Sequence, residues 1–177
     1  MLIKTLVSLP SRTGRNLQRY NHGFRLVVGC IPYRFRETKK SSPIHGTLIE
    51  ELEVLLITSQ KSPRMMFPKG GWEIDEDIKL AATRETMEEA GVVGTLGDKL
   101  GEWIFKSRSR DTFHEGYMFP MLVTEEFEVW PEKNVRQRIW MTVNEAREVC
   151  AHSWMKEALD AFCSSIHVSA NKEKEFL

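Results

Sequence analysis

Several things are scarce in this 177-residue chain. No window approaches the ~20 consecutive apolar residues that a spanning helix requires, so a helical membrane span is excluded. Cysteines number three, Cys30, Cys150 and Cys163, with no close pair and no metal-ligand spacing. They read as small buried hydrophobes in a reducing compartment, not as a disulfide framework or a zinc site. No internal repeat, low-complexity tract or Gly/Ser linker divides the chain, and its length suits one domain. Net charge is absent too: 25 Lys and Arg balance 25 Asp and Glu. That neutrality argues against nonspecific coating of nucleic acid. What is present excludes wholesale disorder, because 41% of residues are hydrophobic and aromatics run from Phe24 to Phe162.

The neutral total conceals an uneven distribution. Residues 1–36 contain no Asp or Glu, yet carry Lys4, Arg12, Arg15, Arg19, Arg25, Arg34 and Arg36. The stretch 73–89 is the opposite, with Glu73, Asp75, Glu76, Asp77, Glu85, Glu88 and Glu89 against Lys79 and Arg84. An acidic pocket for cations and a basic surface for anions can therefore coexist. The acid-free, Arg-bearing start, with Ser8, Pro10 and Ser11, has the composition of a mitochondrial targeting segment. A cytoplasmic or nuclear location is the alternative, with part of the run serving as functional surface. The expected organisation is a basic arm (1–19), a domain (20–166) and a polar, frayed tail (167–177).

Local patterning indicates one mixed α/β domain. Strands are expected at Phe24–Phe35, with Pro32 marking an edge or a bulge, and at Glu53–Ser59. Residues 37–51 read as a solvent loop and Phe67–Gly71 as a turn cluster. Further strands are expected at Leu100–Lys106, Tyr117–Thr124 and Arg136–Val143, and helices at 144–150 and 153–166. Thr142 and Glu145 stand at capping-box spacing. The stripe Met155, Leu159, Phe162 and Ile166 reads as core.

The informative segment is Ile78–Ala90, which Asp77 can N-cap and Gly91 can terminate. At about 100° per residue, Glu85, Glu88 and Glu89 fall within roughly 80° of Ile78, on the side marked by Ala81 and Ala82. Burying an unpaired carboxylate costs several kcal/mol, and three within one turn also repel one another. Arg84 can neutralise one of them. The remaining charge calls for divalent cations, and hard oxygen donors favour Mg²⁺ or Mn²⁺ over Zn²⁺. The bland alternative is a tilted helix whose glutamates reach water and bind nothing.

Gly70, Glu76, Arg84, Glu85, Glu88, Glu89 and Gly91 fit the spacing G-x5-E-x7-R-E-U-x-E-E-x-G-U, with Val92 in the last position. This closely resembles the Nudix box. The one departure is Thr86 where an aliphatic residue is usual, for which a local packing change is expected. The resemblance implies a Nudix fold, an α/β/α sandwich around a mixed β-sheet, over roughly residues 20–165. It also implies a metal-dependent hydrolase of phosphoanhydrides, with Glu85, Glu88, Glu89 and Arg84 as the catalytic set. Glu85, Glu88 and Glu89, with the Gly70 backbone, would hold the ions. Arg84 would orient Glu85, and Glu76 would support the loop or an outer metal. Glu88 or Glu89 is favoured as the base.

Ser11-Arg12-Thr13-Gly14-Arg15, Gln18-Arg19-Tyr20, Gly29-Cys30-Ile31-Pro32-Tyr33-Arg34, Phe67-Pro68-Lys69-Gly70-Gly71-Trp72-Glu73, Gly116-Tyr117-Met118-Phe119 and Trp130-Pro131-Glu132 resemble the plant Nudix group related to diphosphoinositol polyphosphate phosphohydrolases. By position, that resemblance points to Arg12, Arg25, Lys61, Lys69, Gly70, Gly71, Arg108 and Arg138 as substrate contacts. The implied partner is a small polyanion, since so many cations exceed what a mononucleotide sugar needs. Neither membrane nor nucleic acid is expected as a partner. Three readings stay open: an inositol pyrophosphate hydrolase, a hydrolase of dinucleoside polyphosphates, ADP-ribose or NADH, and a non-catalytic polyphosphate- or RNA-binding module.

Overall fold

A computed structural model describes residues 2–5, 11–12, 14, 16–36, 48–107 and 111–175. Ten strands form one mixed sheet: β1 (Leu2–Thr5), β2 (Tyr20–Asn21), β3 (Phe24–Phe35), β4 (Leu52–Thr58), β5 (Met65–Met66), β6 (Lys69–Gly71), β7 (Val92–Leu96), β8 (Gly101–Lys106), β9 (Phe113–Val129) and β10 (Arg138–Thr142). The main path runs β1-β9-β3-β4-β10. Strand β3 lies parallel to β9 from Arg25↔His114 to Tyr33↔Leu122 and antiparallel to β4. Strands β7 and β8 run antiparallel to β9 along its length.

Helix α1 (Ile78–Ala90) covers one face; α2 (Val143–Val149) and α3 (Ser153–Glu175) cover the other. The continuous apolar run of β4 is explained by this sandwich. Leu55 and Ile57 pack with Val28, Cys30, Ala81 and Ala82 on the α1 face. Val54 and Leu56 pack with Met155, Leu159 and Phe162 on the α3 face. Cys30 and Cys150 are buried and Cys163 is half-buried, all three as free thiols. Burial pushes the Cys30 thiol up to about 12, which makes it a poor nucleophile. No helix among the described residues is long and apolar enough to cross a membrane.

Four local expectations need correction. Pro32 is on neither an edge nor a bulge: it stands in the central strand β3, between the segment that pairs β6 (Val27–Gly29) and the one that pairs β4 (Tyr33–Phe35). At that change of partner a missing N–H is tolerated. Strand β9 spans 17 residues, far beyond the apolar core 117–124, because a long shared ladder overrides Gly116 and the acidic Glu125, Glu126 and Glu128. Helix α3 continues to Glu175, so residues 167–175 of the polar tail are helical where fraying was expected. Lys69–Gly71 of the turn cluster is strand β6, placed across β3 by Val28↔Gly70.

Candidate active site

The acidic helix begins and ends as its sequence requires. Asp77 is its N-cap and accepts the Leu80 N–H at 2.9 Å. Gly91 ends it in the left-handed region, φ 66°, donating its N–H to Met87. Thr86 is fully buried and its hydroxyl donates to the Ala82 carbonyl at 2.8 Å. Back-bonding to the preceding turn satisfies the hydroxyl, so Thr fits where an aliphatic side chain is usual. Glu85, Glu88 and Glu89 are all buried, at 8%, 8% and 6% exposure. The tilted-helix alternative is thereby excluded.

Arg84 is the hub of the cluster. It is bidentate to Glu76 through Nε (2.8 Å) and Nη2 (2.7 Å), and also donates to Glu85 (2.9 Å), Glu88 (3.3 Å) and the Gly71 carbonyl (2.9 Å). Glu76 in turn accepts the Glu73 N–H at 3.1 Å. Burial alone would raise its carboxyl, but Arg84 and that N–H outweigh burial and hold it below the ordinary range. Gly70 is required by contact: a Cβ there would lie 2.1 Å from the Glu85 carboxyl carbon. On Glu89, Oε2 accepts the Lys69 N–H (2.9 Å) and Oε1 accepts from Arg136 (3.0 Å).

These carboxylates remain short of positive charge. Burial, followed by the like charge of Glu89, pushes Glu85 up to about 8 despite Arg84. Burial pushes Glu89 up to about 7 despite Arg136 and Lys69, and raises Glu88 as well. A buried, all-oxygen set whose acids resist ionisation fits a divalent cation as the missing partner. A second group, Glu73, Asp75 and Glu76, brings one oxygen each to within 4.8 Å of the others. Its charge is already taken up by Arg12, which pairs with Glu73 and Asp75, and by Arg84 on Glu76.

Glu85, Glu88 and Glu89, with Glu73 of the second group, border a cleft of about 670 Å³. Of the residues expected to contact substrate, Arg12, Arg25, Lys61, Lys69, Gly70 and Gly71 line it. The Arg12 N–H donates to Glu88 Oε1 at 3.2 Å. Arg25 donates to Gln18. Arg108 lies outside the described residues. Arg138 is placed elsewhere: it donates to the carbonyls of Ala90, Gly91 and Phe127 and stacks over Trp130 at 4.0 Å. A cation there complements the carboxyl end of α1. The cleft instead receives Arg136, which bridges Glu89 and Glu132 and donates to the Thr58 carbonyl. Arg136 and Arg138 are two residues apart at the start of β10, a spacing that sequence alone could not resolve. Lys106, a basic residue close to Arg108 in sequence, also lines the cleft, as do Glu132, His114 and His152, which were not anticipated. Glu132 sits in the quoted Trp130-Pro131-Glu132, four residues before Arg136, which was its available signal.

The model of the NUDIX domain matches residues 43–162. The chain belongs to the Nudix hydrolase family. It is 55% identical over 175 residues to Nudix hydrolase 17, mitochondrial, of Arabidopsis thaliana, covering 99% of this chain and 93% of that one. It is 39% identical over 150 residues to diphosphoinositol polyphosphate phosphohydrolase 2 of Mus musculus, covering 80% and 74%. Among solved structures, the Nudix domain of Shewanella oneidensis NrtR bound to ADP ribose superposes with a TM-score of 0.63 at 13% identity, covering 83% of this chain and 90% of that one. A C. elegans Ap4A hydrolase binary complex gives 0.59 at 18% identity, covering 80% and 97%. At those identities the likeness concerns the Nudix fold alone. As a Nudix hydrolase, this chain acts on phosphoanhydride bonds of small phosphate compounds with a divalent metal.

Proposed function

We propose that the chain hydrolyses inositol pyrophosphates, with Mg²⁺ or Mn²⁺ held by Glu85, Glu88, Glu89 and the Gly70 backbone. The supporting observation is the composition of the cleft. Six Lys and Arg residues beyond the Arg84 hub line it among the described residues: Arg12, Arg25, Lys61, Lys69, Lys106 and Arg136. Aromatic surface is nearly lacking. Phe105 is the one Phe, Tyr or Trp among the described lining residues; its ring is stacked on Trp154 at 4.4 Å and meets His114 edge-on. Tyr20, Tyr33, Trp72 and Phe113 do not line the cleft. A nucleotide base wants an aromatic platform, whereas a densely phosphorylated ring wants cations all round.

The ion, when bound, neutralises phosphate charge and lowers the pKa of water. The chain's own part begins with Arg84, whose donors fix Glu85 and Glu88. Arg136 and the Lys69 N–H fix both oxygens of Glu89. The water's proton goes to Glu88 or Glu89. Arg12, anchored by Glu73 and Asp75, and Arg25, Lys61 and Lys69 hold the surrounding phosphates; Arg136 takes the place expected for Arg138. The Arg-rich arm, together with the mitochondrial names of the Arabidopsis relatives at 55% identity, supports a mitochondrial location, although another relative equally similar is named chloroplastic.

The test compares phosphate release from diphosphoinositol pentakisphosphate, diadenosine pentaphosphate and ADP-ribose with Mg²⁺. The inositol compound should turn over fastest; equal or faster turnover of ADP-ribose would sink the reading.

A further inference from the structure

His152 lines the cleft, outside the carboxylate cluster and its guanidinium partners. Its backbone is firmly placed. Its carbonyl accepts the N–H groups of Met155 (3.1 Å) and Lys156 (3.2 Å), opening helix α3. The preceding residue, Ala151, donates to the Met65 carbonyl at 3.0 Å, and Met65 bridges Cys150. The turn before β5 is closed by Ser59 N–H to Arg64 O at 2.8 Å. His152, Lys61 and Lys69 therefore line the same cleft, with Lys69 and Arg64 near enough to act on the imidazole and a 23-residue helix starting at Ser153.

The charges acting on the imidazole are the cations Lys69 and Arg64, while Glu89, which accepts the Lys69 N–H, is itself paired with Arg136. Burial, then Lys69 on β6 and Arg64 on the turn, lowers its pKa below the ordinary 6.5. From α3, Lys156 adds a further cation near Cys150, whose thiol burial holds protonated. Burial and these cations favour the neutral ring. A phosphate placed among Lys61, Lys69 and His152 supplies an anion and favours the imidazolium, which then donates to a phosphate oxygen.

We propose that His152 is a proton-linked phosphate contact, neutral in the free enzyme and protonated when a polyphosphate occupies the cleft at Lys61 and Lys69. This rests on the polyanion reading of the same site. It makes His152 a specificity-determining residue that rewards a ligand with phosphates enough to engage both the metal-binding carboxylates and His152. No bond is made or broken; one proton moves from solvent to the ring as the ligand binds.

The experiment is calorimetric titration of metal-free protein with inositol hexakisphosphate and, separately, tripolyphosphate. Buffers of different ionisation enthalpy at pH 6, 7 and 8 are used, so that proton uptake is read directly. Wild type should take up more protons at pH 7 than His152→Gln, by a substantial fraction of one proton. The variant should bind about 5- to 10-fold more weakly at pH 6, with the difference shrinking towards pH 8. His152→Arg, cationic throughout, should restore affinity without the uptake, which loss of a structural role would not do. Equal proton uptake in wild type and His152→Gln overturns the inference. If wild type binds tripolyphosphate with His152-dependent uptake but not the hexakisphosphate, the inositol reading falls and the subsite stands.

Discussion

Two groups of carboxylates stand a single helical segment apart, and they are in opposite electrostatic conditions. Glu73, Asp75 and Glu76 are the more tightly gathered, yet each has a guanidinium partner, Arg12 or Arg84. Asp75 and Glu76 are accordingly held below the ordinary carboxylate range. Glu85, Glu88 and Glu89, on the core face of α1 and about as buried as Glu73 and Glu76, must share Arg84 and Arg136, and burial raises all three. Crowding of acids is therefore a poor guide to a cation site; burial unmatched by positive charge is the better one. The first group organises the loop and the second is prepared for an ion.

The largest expected effect tests that division directly. Glu85→Gln or Glu89→Gln should lower kcat/KM by on the order of 10³-fold, the loss of several kcal/mol of charge stabilisation, with the fold retained by circular dichroism. Next, Arg84→Ala removes the one cation that both groups share, and leaving buried carboxylates unpaired should cost about 3–5 kcal/mol. A chain of this size should then melt roughly 6–20 °C lower. Smaller is the effect of metal. Saturating Mg²⁺ at 100 times its Kd should stabilise the protein by about 2.7 kcal/mol. Glu85→Gln should abolish that thermal shift and Asp75→Asn should leave it within error; loss of the shift in Asp75→Asn would dissolve the distinction between the groups.

The pH dependence of the metal-free protein sharpens the same contrast. Glu85 and Glu89 have native values, about 8 and about 7, above the ordinary 4.5. Between 4.5 and 8 the native state then binds more protons than the unfolded chain, so this contribution to stability falls as pH rises. Glu76 has the opposite sign: its stabilisation is present above the ordinary value and is lost on acidification through its lowered one. Melting with a chelator at pH 5.5 and 8 should show Glu85→Gln gaining on wild type at pH 8. Adding Mg²⁺ should remove that gain.

Much of the fold and of the acidic site was legible before any coordinates. The 3.6-residue period placed three glutamates on the Ala81–Ala82 face, and Asp77 and Gly91 marked the helix ends through local backbone chemistry. Strands β3, β4 and β8 were visible from apolar content. Strand β7, with Gly94 in five residues, and the full length of β9 were not, because their pairing is with distant segments. The cations were the harder part. Arg136 and Arg138 have near-identical surroundings in sequence, and only the approach of β10 to the end of α1 sends one to Glu89 and the other to the Ala90 and Gly91 carbonyls.

By itself, then, the sequence determined which acids would be buried and in what reaction class they act, because helical periodicity and motif spacing are local properties. Which charges neutralise which acids was decided by tertiary structure alone. Arg12 reaches Glu73 across 61 residues and Arg136 reaches Glu89 across 47. Electrostatic pairing depends on distance in space and on burial, and neither is written along the chain.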